Sequence, residues 1–439
     1  MAFLFARTTR FDSYSPRTKQ AAAMSGRVAG FLVALGALTF AFTLNSVAEP
    51  AVPKAKPVSQ SVKSSTAKKP AIKKKQAVRK KATRKRVARK AKPARSLAIT
   101  VKPPNDAPDF DFTDRIAQAR ELAAKAPVQP GDMVVDKAGN LSRFVWTLVV
   151  GKKTGPLTVV RMDQKGNNDK KLDITWRIDN FLNTRFQVAD GYIVFAQRRP
   201  VRASGAKGGW EPAVYTAYAP ELDTAKMRAH GMAYLRLQER RSYNYLQSHD
   251  VRSRVAPEDT VAETIPRSMV LRLMITEHID PNRMKYVGIE QCIHEVLITV
   301  AANREKAYAY ARSSAGALGI VQFIEPSYEM VRKNYPAAPL EPHFDTAMRD
   351  LRNAAMATVL HLDLQLTHLP AAYLKRFTDS SYHLAAYLAA GYNRNTVKVV
   401  RTYRKTRTFT GGDTPYENKM YVRIQDWVGG YLKRKYEIS

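Results

Sequence analysis

The run Ser313-Ser314-Ala315-Gly316-Ala317-Leu318-Gly319-Ile320-Val321-Gln322 sets small residues ahead of an aliphatic pair and a glutamine. Small side chains at 313–317 and 319 let a backbone turn tightly and come close to something bulky. Gln322, between Val321 and Phe323, is expected to be buried, where an unpaired amide costs about 1–3 kcal/mol. The hydroxyl and acetamide groups of a sugar could be its partners. The plainer alternative is a glycine-rich turn feeding a core helix.

The second candidate for chemistry is a carboxylate. Residues 266–279 read as a helix that opens at Pro266 and stops at Asp280-Pro281. Val270, Leu273, Met274 and Glu277 fall on one face at i, i+3, i+4 and i+7. A lone carboxylate at the end of an apolar stripe has its charged form disfavoured, which raises its pKa. A general acid working near neutral pH needs that shift. Glu295, in a helix expected over 291–303, is the other candidate, with a solvated position as its plain alternative. Asp345, Asp350 and Asp363 follow the glycine-rich run at what look like exposed helix positions. No clean second acid accompanies the first, whereas most glycosidases use two.

The ten-residue run resembles the Ser-x-x-Gly-Ala-x-Gly-Leu-Met-Gln signature of the lytic transglycosylases, relatives of goose-type lysozyme that cleave the peptidoglycan glycan strand. Ile320 and Val321 stand in for the Leu-Met pair. The family's Ala-Tyr-Asn-Ala-Gly is similar to Ala390-Gly391-Tyr392-Asn393-Arg394-Asn395, with Tyr-Asn kept and Arg394-Asn395 in place of Ala-Gly. Glu277-His278-Ile279-Asp280-Pro281 is similar to the family's Glu-Ser-x-Phe-Asp-Pro form, with His278 where the serine is expected. Glu277 lies 36 residues before Ser313 and Glu295 lies 18 before it, both farther than the family's usual spacing. The resemblance covers roughly residues 265–405.

The resemblance implies a single Glu that protonates the leaving oxygen and then deprotonates the C6 hydroxyl of muramic acid. That hydroxyl attacks C1 and leaves a 1,6-anhydro end. It implies Glu277 and Tyr392 as catalytic residues, with Tyr392 orienting the acid or the substrate. It implies Ser313, Gly316, Gln322 and Asn393 as substrate-binding residues. A lysozyme-type hydrolase on the same fold, and an inactive wall-binding or scaffolding protein, are the competing readings. Residues 286–311 read as a helix pair inserted between acid and motif.

Of 439 residues, large parts look non-globular. Residues 28–48 are uncharged and mostly apolar and end in Ser46-Val47-Ala48, as in a secretory signal. Met24 offers a start that would give that signal an ordinary length; an uncleaved membrane anchor is the alternative. Either way the catalytic part is expected to be exported, to the periplasm or otherwise. Residues 51–98 hold 18 Lys and Arg and no acid, part of an overall +34. Like-charge repulsion keeps such a segment, 49–104 in all, from packing. It suits anionic envelope polymers or a membrane surface, and no specific nucleic acid is expected.

Residues 105–125 read as a helix. Residues 144–150, 157–160, 172–176 and 192–196 read as strands. Helical periodicity returns at 223. The expected class is α+β: a small β-rich domain over 105–222, then an α-helical lysozyme-like domain over 223–439. Cys292, the single cysteine, reads as a buried structural thiol. The eight histidines show no paired ligand spacing, and no Walker or dinucleotide glycine pattern occurs, so no metal and no cofactor is expected.

Overall fold

The computed structural model describes residues 109–163, 171–178, 184–204 and 209–438. The expected signal, Met24 and the basic linker lie outside the described residues. The expected helix at 105–125 is α1 (Thr113–Lys125); the Asp111 carboxylate accepts from the Thr113 N–H at 2.9 Å and fixes its start.

Eight strands follow: β1 (Met133–Val135), β2 (Leu141–Phe144), β3 (Trp146–Lys152), β4 (Leu157–Met162), β5 (Thr175–Ile178), β6 (Thr184–Gln187), β7 (Tyr192–Arg202) and β8 (Trp210–Tyr215). The central antiparallel sheet has the order β4-β3-β7-β8. β3 is buried from Trp146 to Gly151, which is why its sequence runs apolar without alternation. Its Trp146, Leu148 and Val150 pack with Phe144, Met162 and Ile174 on one side. Val149 joins Ile193, Phe195 and α1 on the other. β8, absent from the expected strands, pairs only with β7, and that edge position is where Pro212 is tolerated.

The rest is helical: α2 (Ala225–Ser248), α3 (Val261–Thr264), α4 (Arg267–Thr276), α5 (Pro281–Asn303), α6 (Glu325–Asn334), α7 (Phe344–Arg349), α8 (Leu351–Leu366), α9 (Ala371–Thr378), α10 (Ser381–Tyr392), α11 (Thr396–Thr406) and α12 (Tyr416–Tyr436). α4 is buried from Ser268 to Thr276 except at the half-buried Arg272, so the expected apolar stripe is in fact a central helix. The helix pair expected over 286–311 corresponds to α5, two helical segments either side of Gly288, which breaks the helix at φ 81°, ψ 164°, and ending at Asn303 rather than 311.

Sheet and helices share a core. Phe195 and Ala196 of β7, Met227 of α2 and Ile298, Ala301 and Ala302 of α5 belong to one cluster. Asn303, at the end of α5, bonds both the N–H and the C=O of Thr216, just after β8, at 2.8 and 2.9 Å. Residues 97–439 accordingly form one compact unit of mixed helix and sheet, and every core cluster among the described residues lies inside it.

Candidate active site

Glu277 stands at the C-cap of α4, immediately after the last buried turn. It is half-buried: part of its surface stays in solvent while the rest is packed. Burial pushes its carboxyl up to about 8 from an ordinary 4.5, and a hydrogen bond donated by the Tyr421 hydroxyl pulls the other way. Near neutral pH the group therefore keeps its proton and can give it up to an acceptor. Burial, and then the nearby Glu277 charge, hold the Tyr392 and Tyr421 phenols well above their ordinary range, so both stay protonated donors.

The glycine-rich run forms a loop rather than a turn into a helix. The N–H of Ser313 donates to the Ala317 carbonyl at 2.8 Å, and the N–H of Leu318 donates to the Phe323 carbonyl at 2.8 Å. Ser313 Oγ accepts from the Ala317 N–H at 3.0 Å and closes the tip. Gly316 turns at φ 84° with open space around it. Gly319, at φ 78°, is needed twice over, because a Cβ there would lie 2.1 Å from the Met348 carbonyl oxygen. Gln322 is half-buried at φ 48°, and its Nε2 donates to the Gly319 and Ala311 carbonyls at 2.8 and 3.2 Å. The demand for partners is met by the loop's own backbone.

Two side chains clamp this loop onto its neighbours: one from α10, and one from the end of α4 beside the candidate acid. Tyr392, the last residue of α10, donates to the Val321 carbonyl at 2.8 Å. His278 donates from Nε2 to the Ile320 carbonyl at 2.9 Å and stacks on Tyr308 with ring centroids 3.5 Å apart. Burial pulls its imidazole down to about 3, so it stays neutral and acts as a fixed donor. Asn393 caps α10, its side chain is exposed, and its carbonyl accepts from Asn418 Nδ2 at 3.1 Å.

Of the residues singled out in the sequence, Glu277 and Tyr392 come together, with the 319–322 end of the loop held beside them. Ser313 and Gly316 lie at the loop tip. Tyr421 was missed: it comes from α12, where nothing in spacing or composition sets it apart from its neighbours.

The other carboxylates are committed elsewhere. Glu295 is not solvated; it is buried on α5 and binds Arg185 of β6 at 2.5 Å and Arg283 Nε at 2.7 Å. Asp363 is not an exposed helix position; it is fully buried and accepts from Ser253 Oγ at 2.6 Å, the Arg254 N–H at 2.8 Å and the Tyr335 hydroxyl at 2.7 Å. Asp350 caps α8, and Asp345 pairs with Arg312. Cys292 is a free, buried thiol that burial pushes up to about 12. Compared with protein-family models, with curated proteins and with solved structures, this chain gives no match.

Proposed function

We propose that this chain is an exported peptidoglycan lytic transglycosylase that cleaves the MurNAc-GlcNAc β-1,4 bond, its helical part a lysozyme-like lobe preceded by the β-rich one. The observation that carries the reading is Glu277, a half-buried residue whose carboxyl is raised to about 8 by burial, at a helix end beside the motif loop and the Tyr392-Asn393 turn. Glu277 protonates the glycosidic oxygen as the C1–O bond breaks. The resulting carboxylate takes the proton of the C6 hydroxyl as that oxygen bonds to C1, which restores the acid and leaves a 1,6-anhydro end. Tyr421 holds the carboxyl in place through both states, and its donated hydrogen bond favours the charged one. Tyr392 fixes the loop against the helix that carries it. A single acid suffices for this route, in keeping with the engagement of Glu295, Asp345, Asp350 and Asp363 in structural bonds.

The test is to incubate residues 97–439, wild type and Glu277→Gln, with purified peptidoglycan and weigh the soluble products. Fragments lighter by one water than hydrolytic ones, absent with the variant, are expected. Reducing-end products would make it a lysozyme-type hydrolase. Absence of cleavage by folded wild type would leave a wall-binding protein.

A further inference from the structure

The chain carries no Asp or Glu between Asp379 and Asp413, yet Arg394, Lys398, Arg401, Arg404, Lys405 and Arg407 lie in that interval. All but the half-buried Arg394 are exposed. Among the described residues no carboxylate pairs with any of the six; Arg404 instead lies over the Tyr373 ring, 5.8 Å from its centroid. Lys398, Arg401 and Lys405, at i, i+3 and i+7, share one face of α11 and span about 10 Å. Val399, Val400 and Tyr403 bury the opposite face, and Val397 stands 55% exposed at its start.

We propose that this face of α11 is a docking surface for an anionic phospholipid bilayer. The cations stand along the outer side of a single helix, so they cannot converge on one small anion as a binding pocket would. A row of separated charges matches a plane of phosphates, and the exposed Val397 can enter the interface beside them. Like-charge crowding without acidic neighbours costs free energy in the isolated protein, and an anionic surface relieves it. The basic segment 51–98 has the same sign and favours the same surface, while α11 presents its charges from a helix anchored to the core through Val399, Val400 and Tyr403.

The experiment uses residues 97–439, the compact unit that contains every described core cluster, so the basic segment cannot mask the result. Cosedimentation at low salt is measured with phosphatidylcholine vesicles and with equal parts phosphatidylcholine and phosphatidylglycerol. Binding to the mixed vesicles alone is expected, and physiological salt should weaken it. Each charge removed should weaken binding about fivefold. Lys398→Glu, Arg401→Glu and Lys405→Glu together should therefore weaken it by more than ~100-fold. A control triple reverses exposed lysines scattered elsewhere: Lys137→Glu, Lys226→Glu and Lys333→Glu. The control should lose less than ~10-fold, and both triples should melt with the wild type. The proposal is overturned if the mixed vesicles are not bound, if both triples lose equally, or if purified peptidoglycan or duplex DNA is bound more tightly than the vesicles. None of these readouts depends on glycan cleavage, so the docking surface and the proposed reaction stand or fall separately.

Discussion

Replacing Glu277 by glutamine should make the protein more stable, and by an amount that grows with pH. In the fold the carboxyl titrates near 8, against 4.5 for the same group in the unfolded chain. A raised pKa means that the folded state holds the proton more tightly, so the stabilisation is complete below pH 4.5. It is lost as pH rises through 4.5 toward 8, because the unfolded chain ionises while the fold resists. The full gap corresponds to about 5 kcal/mol; buried protein sites respond with a higher effective dielectric than a dry interior, which brings the expected figure to about 2–3 kcal/mol. Glutamine keeps the size and the acceptor for Tyr421 but cannot ionise. The two proteins should therefore differ by a constant amount below about pH 4.5 and diverge by up to ~1 kcal/mol per pH unit above it. Urea unfolding of residues 97–439 at half-unit steps from pH 4 to 9 measures this directly. Parallel stability curves across that range would refute the raised pKa and, with it, the main support for Glu277 as a neutral-pH acid.

Tyr421→Phe removes the donor that favours the carboxylate, so the Glu277 midpoint, followed by carboxyl NMR, should rise by about one pH unit. Gly319→Ala combines a left-handed backbone with a Cβ against the Met348 carbonyl and should cost about 3–5 kcal/mol, whereas Gly316→Ala, with open space around it, should cost only about 1 kcal/mol; denaturant titration compares the two. Glu295→Gln should cost about 3–5 kcal/mol by leaving Arg185 and Arg283 uncompensated, while the activity per folded molecule stays at the wild-type level.

Local signals carried much of this architecture. The apolar run at Phe144–Val150 reads as a buried strand because neighbours cover both faces of β3. Pro266 and Asp280-Pro281 bracket α4 because proline starts and stops helices cheaply. β8 was illegible for the opposite reason: Glu211 and Pro212 suit an edge strand, whose tolerance depends on a partner far away in the chain. The site divides in the same way. Glu277 and Tyr392 stand out through helix-end position and motif order. The Tyr421 contact spans 144 residues, and the burial of Asp363 depends on Ser253, Arg254 and Tyr335, which helical periodicity around Asp363 cannot reveal. Gln322 shows how a correct demand for partners can be met by an unforeseen supplier, the loop's own carbonyls.

The core shared by β7, α2 and α5 has a consequence for how this chain can be cut or recombined. A piece beginning at residue 223 would keep every residue named in the reaction, yet Met227, Ile298, Ala301 and Ala302 would face water. Asn303 would lose both its bonds to Thr216, and Glu295 would keep Arg283 but lose Arg185. Such a piece would aggregate, and its inactivity would say nothing about the proposed reaction. The sheet is therefore not an exchangeable module in front of the helical part; any ancestral or engineered swap of one half has to rebuild the seam of the other.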